Sequence, residues 1–218
     1  TANGFWIYPP QRWDRLRFLI PHHNENYRTL KSVYGDGGRS CELYLSPIVN
    51  PGVEITLLCN GLFLKNPNSA VAENLRRAVD TLYEPATDRQ RERIAAIFDG
   101  AERLFFDCWH PERDRSLPEE LSDGVEHIFT WSREHPELAR PGELFLEPLF
   151  GVGPGFPCYL TVHFDREGRK KYRGGMEGLL NLTREAIAEQ PSERLERVGR
   201  CIEGVLNDID LAERTVSQ

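Results

Sequence analysis

From Leu195 to Ala212 the apolar residues recur as on one side of a helix: Leu195, Val198, Ile202, Val205, Leu206, Ile209 and Ala212. Steps of three and four residues put all seven on one stripe, with charged residues between them. Pro191 stands where a first helical turn tolerates proline. No other pattern in the chain is as regular. A stripe this long must be covered, so the sequence predicts a packed structure rather than a set of isolated helices.

Three earlier segments carry shorter versions of the same spacing. Asn24 caps a predicted helix through Tyr34, with Tyr27, Leu30 and Val33 inward and Gly35 as the stop. Asn68 or Ser69 opens another, reaching about Tyr83, with Val71, Leu75, Ala78, Val79 and Leu82 on one face. Thr87 or Asp88 opens the next, with Ile94, Ile97, Phe98, Ala101, Leu104 and Phe105 as its stripe and Pro111 as its end. Arg12 to Ile20 and Pro118 to Arg133 also read as helices.

Other segments read as strands. Cys41 to Leu45 alternates. Val53 to Leu64 is the longest apolar run, with Gly61 as a bend. Glu143 to Leu146 is short. Cys158 to Phe164 sets Cys158, Leu160, Val162 and Phe164 against Tyr159, Thr161 and His163. Asp165 to Gly168 reads as a hairpin turn, Arg169 to Tyr172 as the return strand, and Met176 to Glu189 as the following helix. The expectation is one α+β domain over residues 1–218. Its mostly antiparallel sheet has about four to six strands, with about five or six helices packed on it.

Composition narrows the function classes. The chain has 218 residues, 39% hydrophobic and 28% charged, which is enough apolar content for a sizeable core. A net charge of −7 argues against nucleic acid as a partner through overall charge. No run reaches the roughly 18 apolar residues of a membrane span, so no membrane association is expected. No charged region precedes an apolar stretch at the N-terminus, so no signal peptide is expected. Five scattered cysteines suit reduced thiols in the cytoplasm better than a disulfide framework. Cys108 reads as the most exposed of them.

Candidate chemistry concentrates in two places. Arg169, Lys170, Lys171 and Arg173 gather positive charge before Gly174 and Gly175, in front of the helix expected from Met176. Free N–H groups there suit an anion, a phosphate or a carboxylate. A solvated hairpin whose lysines block edge pairing is the plainer reading. On the strand before it, Tyr159 and Thr161 would line a pocket, with His163 and Asp165 as a catalytic pair and His163 moving the proton. His22-His23-Asn24-Glu25 and Cys108-x-His110 hold metal-ligand residue types without a zinc or calcium spacing, so no metal and no cofactor is expected. The aromatic N-terminus, with Phe5, Trp6, Tyr8 and Trp13, could seal a core or meet a protein partner.

Two function classes follow. One is a non-catalytic binding or interaction module: an accessory, regulatory or ligand-sensing protein. The alternative is a small-molecule enzyme acting on an anionic substrate, phosphorylated ones included, held by Arg169, Lys171 and Arg173.

Overall fold

A computed structural model describes residues 21–38, 51–108 and 166–216. Among the described residues the chain forms six helices and no strand. They are α1 (His23–Gly35), α2 (Pro51–Lys65), α3 (Val71–Tyr83), α4 (Asp88–Cys108), α5 (Arg166–Glu189) and α6 (Glu193–Val216). This corrects the expected α+β fold with a mostly antiparallel sheet: the described architecture is helical. The strands expected at Cys41–Leu45, Glu143–Leu146 and Cys158–Phe164 lie outside the described residues, as do the helices expected over Arg12–Ile20 and Pro118–Arg133 and the aromatics near the N-terminus.

Two expected strands are helices for physical reasons. Val53–Leu64 belongs to α2, whose buried residues Gly52, Ile55, Thr56, Cys59, Asn60 and Phe63 repeat at helical spacing. Its apolar residues lie on nearly every face, so neither period shows in the sequence. Length and Pro51 in the first turn argue for helix. Arg169–Tyr172 lies in α5, which begins ten residues before the expected start at Met176. The stripe extends backward through Tyr172 and Arg169, both buried, continuing Met176, Leu179, Leu180, Thr183 and Ala186.

The chain divides into two compact units, one of residues Thr1–Arg103 with Gly178–Glu203, the other of Leu104–Glu177 with Gly204–Gln218. In the first, α1, α2 and α3 pack on one another. Leu30 of α1 meets Phe63 of α2, with Tyr27 and Val33 beside them. The Tyr27 and Phe63 rings stand edge to face at 5.2 Å. Ile94, Ile97, Phe98 and Ala101 of α4 are fully buried, as are Val198 and Ile202 of α6.

Capping sets the start of α4. Thr87 Oγ1 accepts from the Gln90 N–H at 3.0 Å, and Gln90 Oε1 accepts from the Ala86 N–H at 2.8 Å, close to a capping box. The Gln90 amide then donates to Ala186 O at 2.9 Å, fastening the start of α4 to the end of α5. α3 follows Ala70, which has no capping side chain. Ser69 instead accepts from Asn74 at 2.8 Å through its hydroxyl and from the Tyr27 hydroxyl at 3.1 Å through its carbonyl.

The second unit buries Phe105, Cys108, Tyr172, Met176, Val205 and Ile209. Cys108, read from the sequence as the most exposed of the cysteines, is buried, while Cys201 is half-buried. The glycine pair splits here. A Cβ on Gly175 would fall 2.3 Å from Leu104 Cδ2, while one on Gly174 would meet nothing within 4 Å. Gly175→Ala should therefore destabilise by about 1 kcal/mol, overpacking against Leu104 outweighing the gain in helix propensity. Gly174→Ala should stabilise by about 0.5–1 kcal/mol, since it fills open space on an exposed helical position. Urea melts of the two variants check this, and equal shifts would refute the close approach of α5 to Leu104.

Candidate functional site

The start of α1 has no local cap, since the side chain of His22 makes no capping bond. An acid far along the chain supplies one. Glu102 on α4 accepts from the Asn24 N–H through Oε2 and from the Glu25 N–H through Oε1, both at 2.9 Å. A carboxylate at this end of a helix satisfies two orphan donors and complements the positive end of the helix dipole. The Asn24 side-chain amide donates to Glu102 Oε2 at 2.9 Å and to Asp99 Oδ1 at 3.0 Å. His23 completes the cluster, its Nδ1 lying 3.0 Å from Glu102 Oε2 and its Nε2 3.2 Å from the Asn24 amide nitrogen. Both are enclosed, with His23 1% and Glu102 3% exposed at the side chain.

Burial acts oppositely on the two kinds of group. It drives the His22 ring down to about 4, Glu102 pulling it back and His23 lowering it further. The His22 backbone N–H is held by Thr56 Oγ1 at 2.8 Å. Burial also pushes Glu102 upward and is its largest single influence. The contacts from His23 and from the Asn24 and Glu25 N–H groups outweigh it and hold the carboxyl below its ordinary value. Beside Glu102, the Cys59 thiol is pushed up to about 12 by burial and then by that negative charge.

His23, Asn24 and Asp99 of this cluster line an open groove of about 240 Å³ between α3, α4 and the start of α1. Val71, Ala72, Leu75, Ala95 and Ala96 give it an apolar floor. Two ion pairs edge it: Arg76 Nε with Glu92 Oε1 at 2.6 Å, and Arg103 with Asp99. Small alanines on both helices leave the space, because nothing larger fills the gap between the stripes.

The residues singled out from the sequence are distributed differently. Tyr159, Thr161, His163 and Asp165 lie outside the described residues. Arg169, Lys170, Lys171, Arg173, Gly174 and Gly175 lie along α5, past its first three residues, so most of their N–H groups are used by the helix itself. The expected cradle at a helix start near Met176 is thus replaced by continuous helix. Arg169 is buried, Lys170 exposed, Lys171 lies 3.6 Å from Asp107, and Arg173 pairs with Glu177 at 3.2 Å and with Asp210. At about 100° per residue Lys171 lies on the side away from Arg169, while Arg169 and Arg173, four residues apart, share a face of α5.

His22-His23-Asn24-Glu25, read from the sequence as metal-ligand types, is the segment that reaches the groove. Among the described residues no group of three His, Cys, Asp or Glu side chains could hold a metal ion. Asp99, Glu102, Arg76, Glu92 and Arg103 were not visible as site residues. One signal for Glu102 existed: it follows Phe98 by four residues and precedes Phe105 by three, an acid inside an inward stripe. Among the described residues no helix is long and apolar enough to cross a membrane. The chain matches no family model, no curated protein and no solved structure.

Proposed function

We propose that this chain is a non-catalytic binding module, ligand-sensing or accessory in role, whose ligand lies in the groove between α3, α4 and the start of α1. One observation carries the reading. The groove joins an apolar floor to a few polar groups, the usual composition of a small-molecule site. The titratable groups at its end support this role over catalysis: Glu102 is engaged by two backbone N–H groups of α1, and a carboxylate so held stabilises a helix rather than moving protons. A reducing compartment such as the cytoplasm fits the buried thiol of Cys59.

A thermal-shift screen of amino acids, carboxylates, nucleotides and sugar phosphates tests the proposal, because binding to the native state raises the midpoint. Ala96 is exposed on the groove floor, so Ala96→Trp should fill the space while leaving the fold intact. The expected result is a ligand whose shift of several degrees is absent in Ala96→Trp. A panel that shifts neither protein sinks the reading, as does a shift that the plug leaves unchanged.

A further inference from the structure

The polar groups of the groove stand in a definite order. Glu92, Ala95, Ala96, Asp99 and Arg103 line it from α4, and their spacing of i, i+3, i+4, i+7 and i+11 is one helical face running about 16 Å. Asp99 and Arg103 form a charge pair one turn apart at the end closed by Asn24. Arg76 and Glu92 form the second pair, bridging α3 to α4. The alanine floor lies between.

Each pair is neutral, so the lining offers neighbouring opposite charges, and the nearest further charge is the Glu102 carboxylate behind Asn24. Such a lining does not collect a multiply charged phosphate. It complements a ligand that carries its own positive and negative groups a few bonds apart. The volume, about 240 Å³, is below the roughly 300 Å³ at which drug-sized sites begin, which restricts the occupant to something small.

We propose that the groove takes a free α-amino acid with a medium-sized apolar side chain. Its ammonium sits on Asp99, its carboxylate on Arg103, and its side chain on Val71, Leu75, Ala95 and Ala96. The inference rests on the binding-module reading and names the ligand class of the same site. Two further features support it. Arg103 is 70% exposed at the side chain, and exposed ion pairs hold weakly, so a zwitterion can part this pair at little cost. Asp99 stays in place because the Asn24 amide holds its Oδ1, and Asn24 is itself fixed by Glu102. Among the described residues Arg103 engages Asp99 through Nη2, and a guanidinium has five N–H donors, enough to add a carboxylate.

Calorimetric titration of L-leucine, N-acetyl-L-leucine and L-leucinamide into the folded chain tests this. Leucine should bind, and loss of either charge should weaken binding about tenfold or more, the scale of one charge-assisted contact. Arg103→Gln should weaken leucine by a similar factor and abolish the preference for leucine over leucinamide. Asp99→Asn should abolish the preference over N-acetyl-leucine. Circular dichroism confirms that both variants fold. Equal binding of all three compounds overturns the amino-acid proposal, as does unchanged discrimination in both variants. If leucine fails while another compound binds and Ala96→Trp removes that binding, the ligand class falls and the groove stands. If leucine binds equally to Ala96→Trp, or nothing in the panel binds, the groove reading falls with it.

Discussion

Glu102→Ala is expected to destabilise the chain by about 3–5 kcal/mol, the range for removing one partner from a buried charged network. The carboxylate is nearly enclosed and receives two backbone N–H groups, the Asn24 amide and the His23 contact. Truncation leaves those donors without an acceptor and opens space beside Cys59 and His22. Glu102→Gln keeps the volume but replaces one acceptor oxygen with an amide that faces donors. It should fall between wild type and Glu102→Ala. Urea unfolding followed by circular dichroism measures the series. A loss below about 1 kcal/mol for Glu102→Ala would show that α1 does not depend on this cap.

The second large effect is on acid stability. The His22 ring is lowered from 6.5 to about 4 in the folded chain, so between those values the unfolded chain binds more protons. Stability is full above pH 6.5 and declines as pH falls toward 4, by about 3 kcal/mol for a shift of this size. His23 and Glu102 are the charged neighbours that modify it. Glu102 acts lower: its carboxyl is held down from 4.5, so its contribution is present above that value and lost as pH falls through the lowered one. His22→Gln removes the first titration. Its unfolding free energy should lose less than wild type between pH 7 and pH 5. Parallel pH dependence in the two proteins would exclude His22 as the source.

The helices legible in the sequence were those with one apolar face. α6 buries Leu195, Val198, Ile202, Val205 and Ile209 on the expected stripe, and α4 buries Ile94, Ile97, Phe98, Ala101 and Phe105. α2 was hidden because burial acts on one face while apolar residues cover the others too, leaving Leu64 44% exposed at its end. The start of α5 was hidden because Arg169 and Lys171 read as edge-strand charges and two glycines read as a break. Gly175 instead admits Leu104, and Arg173 finds acids on its own helix and on α6.

The candidate site was less legible than the fold. His23 and Asn24 stood out by residue type, but the acids they meet, Asp99 and Glu102, lie more than seventy residues away in sequence. Asp99 and Arg103 look like any exposed helical pair. Their place beside a groove follows from alanines on two helices, and alanine is the residue least marked in a sequence.

The cap on α1 also bears on the order in which the chain folds. α1 has 13 residues, short enough to be marginal alone, and its cap bonds span 77 and 78 positions. Contacts that distant form only after the intervening chain has been organised. α1 should therefore be a late helix, gained once α4 is in place. Pulse-labelled amide exchange during refolding would show it, with the Asn24 and Glu25 amides protected after those in the middle of α4. Simultaneous protection would instead make α1 part of the folding nucleus.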